Sequence, residues 1–140
     1  MALYSNTLAV TRQHLSAAVG DLIMGAADSG TSTTLVHTML RKGDDYYNEH
    51  HYRCYIHGGT NIGEEREVSD WVLSTHTLTF DPLFIATIGA TSQYELHYIF
   101  TEDEYRRAIN MAIQSLSGNK YVLEMIDMNT ITLVADIYEY

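Results

Sequence analysis

Several common classes are closed to this chain by what it lacks. One cysteine, Cys54, in 140 residues excludes an intrachain disulfide framework and suits synthesis in a cytoplasm. There is one proline and no Pro-rich linker, and no internal repeat or polar low-complexity run points to disorder or an array. No apolar run reaches the roughly 18 residues of a membrane-spanning helix. The opening MALYSNTLAV has neither the basic region nor the apolar core of a signal peptide. Basic residues are scarce: 8 Lys and Arg stand against 18 acids, a formal net charge of -10. Such a chain has no footprint for gripping phosphates and is repelled by bare nucleic acid.

Apolar residues make up 46% of the chain, enough for one core, and the length fits a single domain over 1–140. The clearest pattern is period 2. From His51 to His57, Tyr52, Cys54 and Ile56 take one face and His51, Arg53, Tyr55 and His57 the other, as in a half-buried strand. The Gly-rich stretch from Gly58 to Gly63 reverses the chain, and Glu64 to Asp70 returns as a charged strand with Val68 inward. Thr75 to Phe80 predicts a third strand with Leu78 and Phe80 inward. Ser92 to Tyr98 predicts a fourth, with Tyr94, Leu96 and Tyr98 on one face and Gln93, Glu95 and His97 on the other. TTLVHTML at 33–40 is β-branched and reads as a strand on the edge of this module.

Two helices flank the β residues. The first is expected from about Thr7 to Met24, capped by Asn6 or Ser5, with Leu8, Leu15, Val19, Leu22 and Ile23 near one stripe; Gly20 weakens it and implies a close packing contact. The second opens on Thr101-Glu102-Asp103-Glu104, a capping box with three acids at the positive helix end. Tyr105, Ala108, Ile109, Ala112, Ile113 and Leu116 follow at helical spacing, and Gly118 suits the stop. The expected fold is α+β: a small antiparallel β-sheet module (33–98), an N-terminal helix (1–25), a capped second helix (101–118) and an extended β-rich C-terminal arm (120–140).

No group of residues assembles an active site. Gly58 and Gly63 have the spacing of a phosphate loop, but Glu64-Glu65 follow where Lys and Ser/Thr are required. Glu49-His50-His51, with Asp44, Asp45 and His57 nearby, offers metal-ligand types, yet neighbours on a strand point to opposite faces. Ser69-Asp70 and Ser74-Thr75-His76 hold nucleophile and base types without a strained elbow or a placed third member. Cys54 alternates inward and reads as a core residue. The reading is therefore no catalytic residues, no cofactor and no metal. Eleven tyrosines are the compositional oddity; they suit a core or a surface buried against a partner.

The order of the pieces is more specific than any one of them. A strand closing on Gly59-Thr60 leads to Gly63-Glu64, Arg66 and Val68 to Asp70. The strand Leu78 to Phe80, Gly89, the run Tyr94 to Leu96 and the helix run Ala108 to Ile113 then follow. This arrangement, over roughly residues 8 to 117, resembles a family of tailed-bacteriophage virion proteins encoded among head and tail assembly genes. Such proteins are similar to neck, adaptor or head–tail connector components that assemble as rings at the portal vertex. The resemblance implies a non-enzymatic structural protein of the virion, made in the host cytoplasm. It implies a homo-oligomeric ring touching portal, tail or neck proteins, through which DNA passes without specific binding, and no membrane. The alternative is another tail, fibre-anchoring or decoration component. In a connector, Glu64, Glu65 and Glu67, or Glu102, Asp103 and Glu104, are candidates for an acidic bore; ordinary solvated faces are the bland alternative. Tyr46, Tyr47 and Trp71 are candidate contacts, Trp71 being alternatively a plug over the sheet. Ile131, Leu133, Ile137, Tyr138 and Tyr140 on the arm are candidates for a strand laid on a neighbouring subunit or the portal.

Overall fold

Alternating burial builds the framework. A computed structural model describes residues 7–118, and within them the elements run α1 (Leu8–Ala18), β1 (Ile23–Ala26), β2 (Ser29–Gly30), β3 (Thr34–Val36), α2 (Tyr46–Glu49), β4 (Arg53–Gly58), β5 (Glu65–Val72), a 3-10 turn at Leu73–Thr75, β6 (Thr77–Phe80), β7 (Gln93–His97) and α3 (Glu102–Gly118). This is an α+β chain with a seven-stranded antiparallel sheet in the order β1-β7-β4-β5-β6-β3-β2. The expected arm at 120–140 lies outside the described residues, as do Ile131, Leu133, Ile137, Tyr138 and Tyr140.

The two ends of that strand order, β1 and β2, are neighbours in the chain, joined by Ala27 and Asp28 alone. Ala27 N–H donates to Ser92 O beside β7, and Asp28 N–H donates to Val36 O on β3. One stretch thus leaves the β7 side and enters the β3 side, and the sheet curls back on itself. On the opposite wall β5 does the same. Its residues Glu65 to Glu67 pair with β4, and Val68 to Val72 pair with β6 across a register shift at Ser69. Closure removes the exposed edges that a short sheet would otherwise offer. The interior holds Leu35, Cys54, Ile56, Val68, Trp71, Leu78, Phe80, Phe84, Ile88, Tyr94 and Leu96, all buried.

The predicted inward residues of β4, β5 and β6 are the observed ones. The first helix is shorter than expected. Thr7, not Asn6 or Ser5, caps it by accepting from Val10 N–H at 3.4 Å, and it ends at Ala18. Gly20 adopts φ +76, and an added Cβ there would meet nothing within 4 Å, so its role is the left-handed stop rather than close packing. Asp21 N–H then closes onto Ser16 O, and Ile23 becomes a strand residue against Leu96 of β7. The capping box at α3 forms as read. Thr101 Oγ1 accepts from Glu104 N–H at 3.2 Å, and Glu104 Oε2 accepts from Thr101 N–H at 2.8 Å.

Candidate functional site

The densest polar cluster lies on β7. Tyr94 and Leu96 point into the core, so Glu95 and His97 point to the outer face, which in a bare sheet would meet water. Here α1 and α3 lie over that face, and both side chains are 0% exposed. The buried residues of α1 are accordingly its polar ones, Arg12 and Ser16. Arg12 Nε and Nη2 donate to the two carboxylate oxygens of Glu95 at 3.0 and 2.8 Å, and Gln13 Nε2 donates to the same group at 2.8 Å. Arg12 Nη1 reaches Glu102 of α3 at 3.4 Å, and the guanidinium lies 4.4 Å over the Tyr55 ring.

Burial disfavours charge on Glu95, but the bonds from Arg12 and Gln13 and the positive charge of Arg12 outweigh it, and the carboxyl is held below its ordinary value. His97 stands 3.5 Å from Glu95 Oε2, and neither of its ring nitrogens has a hydrogen-bond partner. Burial lowers its pKa in spite of Glu95 and Asp21, so it rests neutral. Asp21, also buried, accepts from the backbone N–H groups of Tyr98, Ile99 and Phe100 at 2.6 to 3.0 Å and from Tyr105 Oη at 2.6 Å. A carboxylate pinned by a guanidinium is a poor base, and a sealed imidazole exchanges no proton with a substrate. The cluster fastens the helices to the sheet.

The acidic candidates converge, because Glu65 Oε1 accepts from Glu102 N–H at 3.1 Å and joins the start of β5 to the start of α3. None of the six is a bare charge. Glu64 pairs with Arg66 at 2.7 Å and Glu67 with His51 at 2.9 Å; Glu102 meets Arg12 and Arg106, Asp103 meets Arg106 and Arg107, and Glu104 is bound in the capping box. Burial raises the Glu65 carboxyl, opposed by that N–H and by Arg53. The candidate acids thus stand among basic partners.

Of the aromatic contact candidates, Tyr47 and Trp71 belong to the core, at 2% and 0% exposure. Their rings meet edge to face at 5.0 Å, and Trp71 Nε1 donates to Lys42 O at 3.0 Å. Neither offers a surface to a partner. The cause is α2, which packs its one buried residue, Tyr47, against β5. Tyr46 is half-buried and stacks on His50. Of the remaining chemical candidates, His50 and His76 bond backbone through Nδ1 on Tyr46 O and Leu40 O, Ser69 bonds through Oγ to Thr79 O, and His57 Nε2 is buried 4.0 Å from Glu95 without a hydrogen-bond partner. Burial pushes the Cys54 thiol up, away from the thiolate. Among the described residues, no group of three or more His, Cys, Asp or Glu is placed to hold a metal ion, and no helix is long and apolar enough to cross a membrane.

One surface feature escaped the sequence reading. The β4–β5 turn and the loop after β6 are tied together by Asn61, whose side chain donates to Ala86 O at 2.8 Å and accepts from Ala86 N–H at 2.9 Å. Arg66 Nε donates to Leu83 O at 3.1 Å, and Glu64 Oε2 accepts from Ile85 N–H at 3.3 Å. The joined loops hold three large aliphatic side chains in water: Ile62 at 64% exposure, Leu83 at 54% and Ile85 at 82%. A lone Asn in a Gly-rich turn was the only local sign of this tie. No protein-family model, curated protein or solved structure matches the chain.

Proposed function

We propose that the chain is a non-enzymatic structural protein of a tailed-bacteriophage virion, a ring-forming neck or head–tail connector subunit that bridges portal and tail. The observation that carries an assembly role is the paired-loop tip. Side chains bonded to backbone hold it in one shape, and it presents Ile62, Leu83 and Ile85 together to solvent, as a contact surface does. Its occupant is a neighbouring copy in the ring. The sealed Arg12–Glu95 cluster supports the same reading, since the chain spends its buried polar groups on holding layers together. The place in a phage neck rests on the resemblance over residues 8 to 117. The net charge of -10 suits a passage through which DNA moves without adhering.

The test measures solution mass and virion position. Native mass spectrometry should find a closed ring, and reconstruction of the virion vertex should place the chain between portal and tail. Ile62→Asp with Ile85→Asp should leave a folded subunit that no longer closes rings. Wild-type protein that remains monomeric at all concentrations and is missing from particles would sink the proposal. Density in the tail, on a fibre or on the shell would move it to the other structural class.

A further inference from the structure

Only part of the apolar stripe of α3 is used by the sheet. Tyr105 and Ile109 are buried, while Ile113 and Leu116 are 48% and 46% exposed. Together with α1 the unused part forms a groove of about 620 Å³, with Leu8, Leu15, Ile113 and Leu116 as walls and Ala108 and Ala112 as floor. A second cavity of about 240 Å³, sharing Leu15 and Ala108 and bounded by Val19 and Phe100, continues it. Small residues between large ones make a trough that accepts side chains.

We propose that this trough is the docking surface for the chain's own residues 121–128. Leu116, which lines one end of the groove, lies only five positions before Tyr121 in the chain. Its sequence is YVLEMIDM, apolar at every position except Glu124 and Asp127, so burying it in an apolar trough is favourable. Gly118-Asn119 supplies the residues that let a chain reverse at a helix end. From Leu116 back to Ala108 is about 12 Å of helix, at roughly 1.5 Å per residue. An extended strand covers that in about four residues, so 121–128 is long enough to fill the trough. Tethering decides between this segment and one from another copy. A short linker holds its segment at an effective concentration of about a millimolar, which a separate copy does not match in dilute solution. The inference is independent of the phage reading.

The experiment uses the full chain with a benzophenone amino acid at position 113, irradiated as a dilute mixture of isotopically light and heavy protein and mapped by peptide mass spectrometry. Adducts to residues 121–128 are expected, light with light and heavy with heavy, at monomer mass. Mixed light–heavy adducts, adducts elsewhere only, or no adduct in a chain whose circular dichroism is native would overturn the proposal. In the same labelled chain, Leu123→Asp with Ile126→Asp should cut the adduct at least tenfold; an undiminished yield would mean that the contact is not apolar docking. A ring-assembly defect plays no part in this readout, so failure here and failure of the connector proposal are separate results.

Discussion

Replacing Arg12 with Met tests whether the helical layer is held by charge. Arg12 is 3% exposed and Glu95 0%, and two bonds of 3.0 and 2.8 Å join them. At an effective dielectric constant of about 20, two unit charges at this range attract by roughly 6 kcal/mol before desolvation is subtracted. Methionine fills much of the space but leaves Glu95 with Gln13 as its one remaining side-chain donor. Loss of one partner of such a pair costs about 3 to 5 kcal/mol, about a fifth or more of the about 5 to 15 kcal/mol that holds a domain together. Urea titration at pH 7 should therefore show a lower midpoint with an unchanged slope. The pH dependence adds a sign. In the wild type the Glu95 carboxyl is depressed, so its contribution is full above about 4.5 and is lost as pH falls through the folded value. In the variant burial acts without the guanidinium, the carboxyl rises, and the folded state takes up a proton more readily than the unfolded. The gap between the two proteins should therefore narrow from pH 7 towards pH 5. Arg12→Met with Glu95→Gln should recover most of the loss, because a neutral amide tolerates the site. A single variant within about 1 kcal/mol of wild type, or a double variant no better than the single, would refute this account.

Three further outcomes follow from particular contacts. His97 is buried neutral with a lowered pKa, so its contribution is full above the unfolded value of about 6.5 and declines as pH falls below it; wild type should lose more stability between pH 7.5 and 5.5 than His97→Asn, and parallel losses would place the proton elsewhere. Thr101→Ala should cost about 1 kcal/mol in urea titration by leaving Glu104 N–H without its acceptor, and Glu104→Gln should cost less, since an amide oxygen still accepts from Thr101; equal stability of Thr101→Ala and wild type would mean the cap is not formed. Gly59→Ala should lower the thermal midpoint more than Gly63→Ala: both have positive φ, but a Cβ at Gly59 would sit 2.9 Å from Ser92 Cα, and one at Gly63 would meet nothing within 4 Å; the reverse order would mean that the β4–β5 turn does not press on the residues before β7.

Local chemistry was legible where the interaction is local. The capping box needs only Thr101 and Glu104, three residues apart, and it formed as read. The alternation of Tyr52, Cys54 and Ile56 follows from backbone geometry alone, and those residues lie in the core. Reading failed where a partner distant in sequence decides. Leu22 and Ile23 continue the apolar stripe of α1 past Gly20, so the sequence favoured a longer helix; the left-handed turn at Gly20 and the partner strand β7 end the helix and make Ile23–Ala26 into β1. Tyr47 has the chemistry of a contact residue, and its packing on Trp71 at 5.0 Å, set by where α2 falls, makes it core, while Trp71 takes the plug position that the sequence left open.

The sequence by itself determined the two-faced strands, the start of α3 and the excess of negative charge, because each depends on residues within one or two turns of one another. It also placed Glu95 and His97 on the face opposite Tyr94 and Leu96. What that face meets was a tertiary decision. Arg12 and Glu95 are 83 positions apart, and no periodicity links them; the pairing of β1 with β7 brings the preceding α1 beside Glu95, where the pair is buried. The tie from Asn61 to Ala86, 25 positions apart, is likewise a tertiary contact that no local pattern predicts. Burial is a property of what lies on top of a residue, and a chain read in order carries no record of what will lie on top.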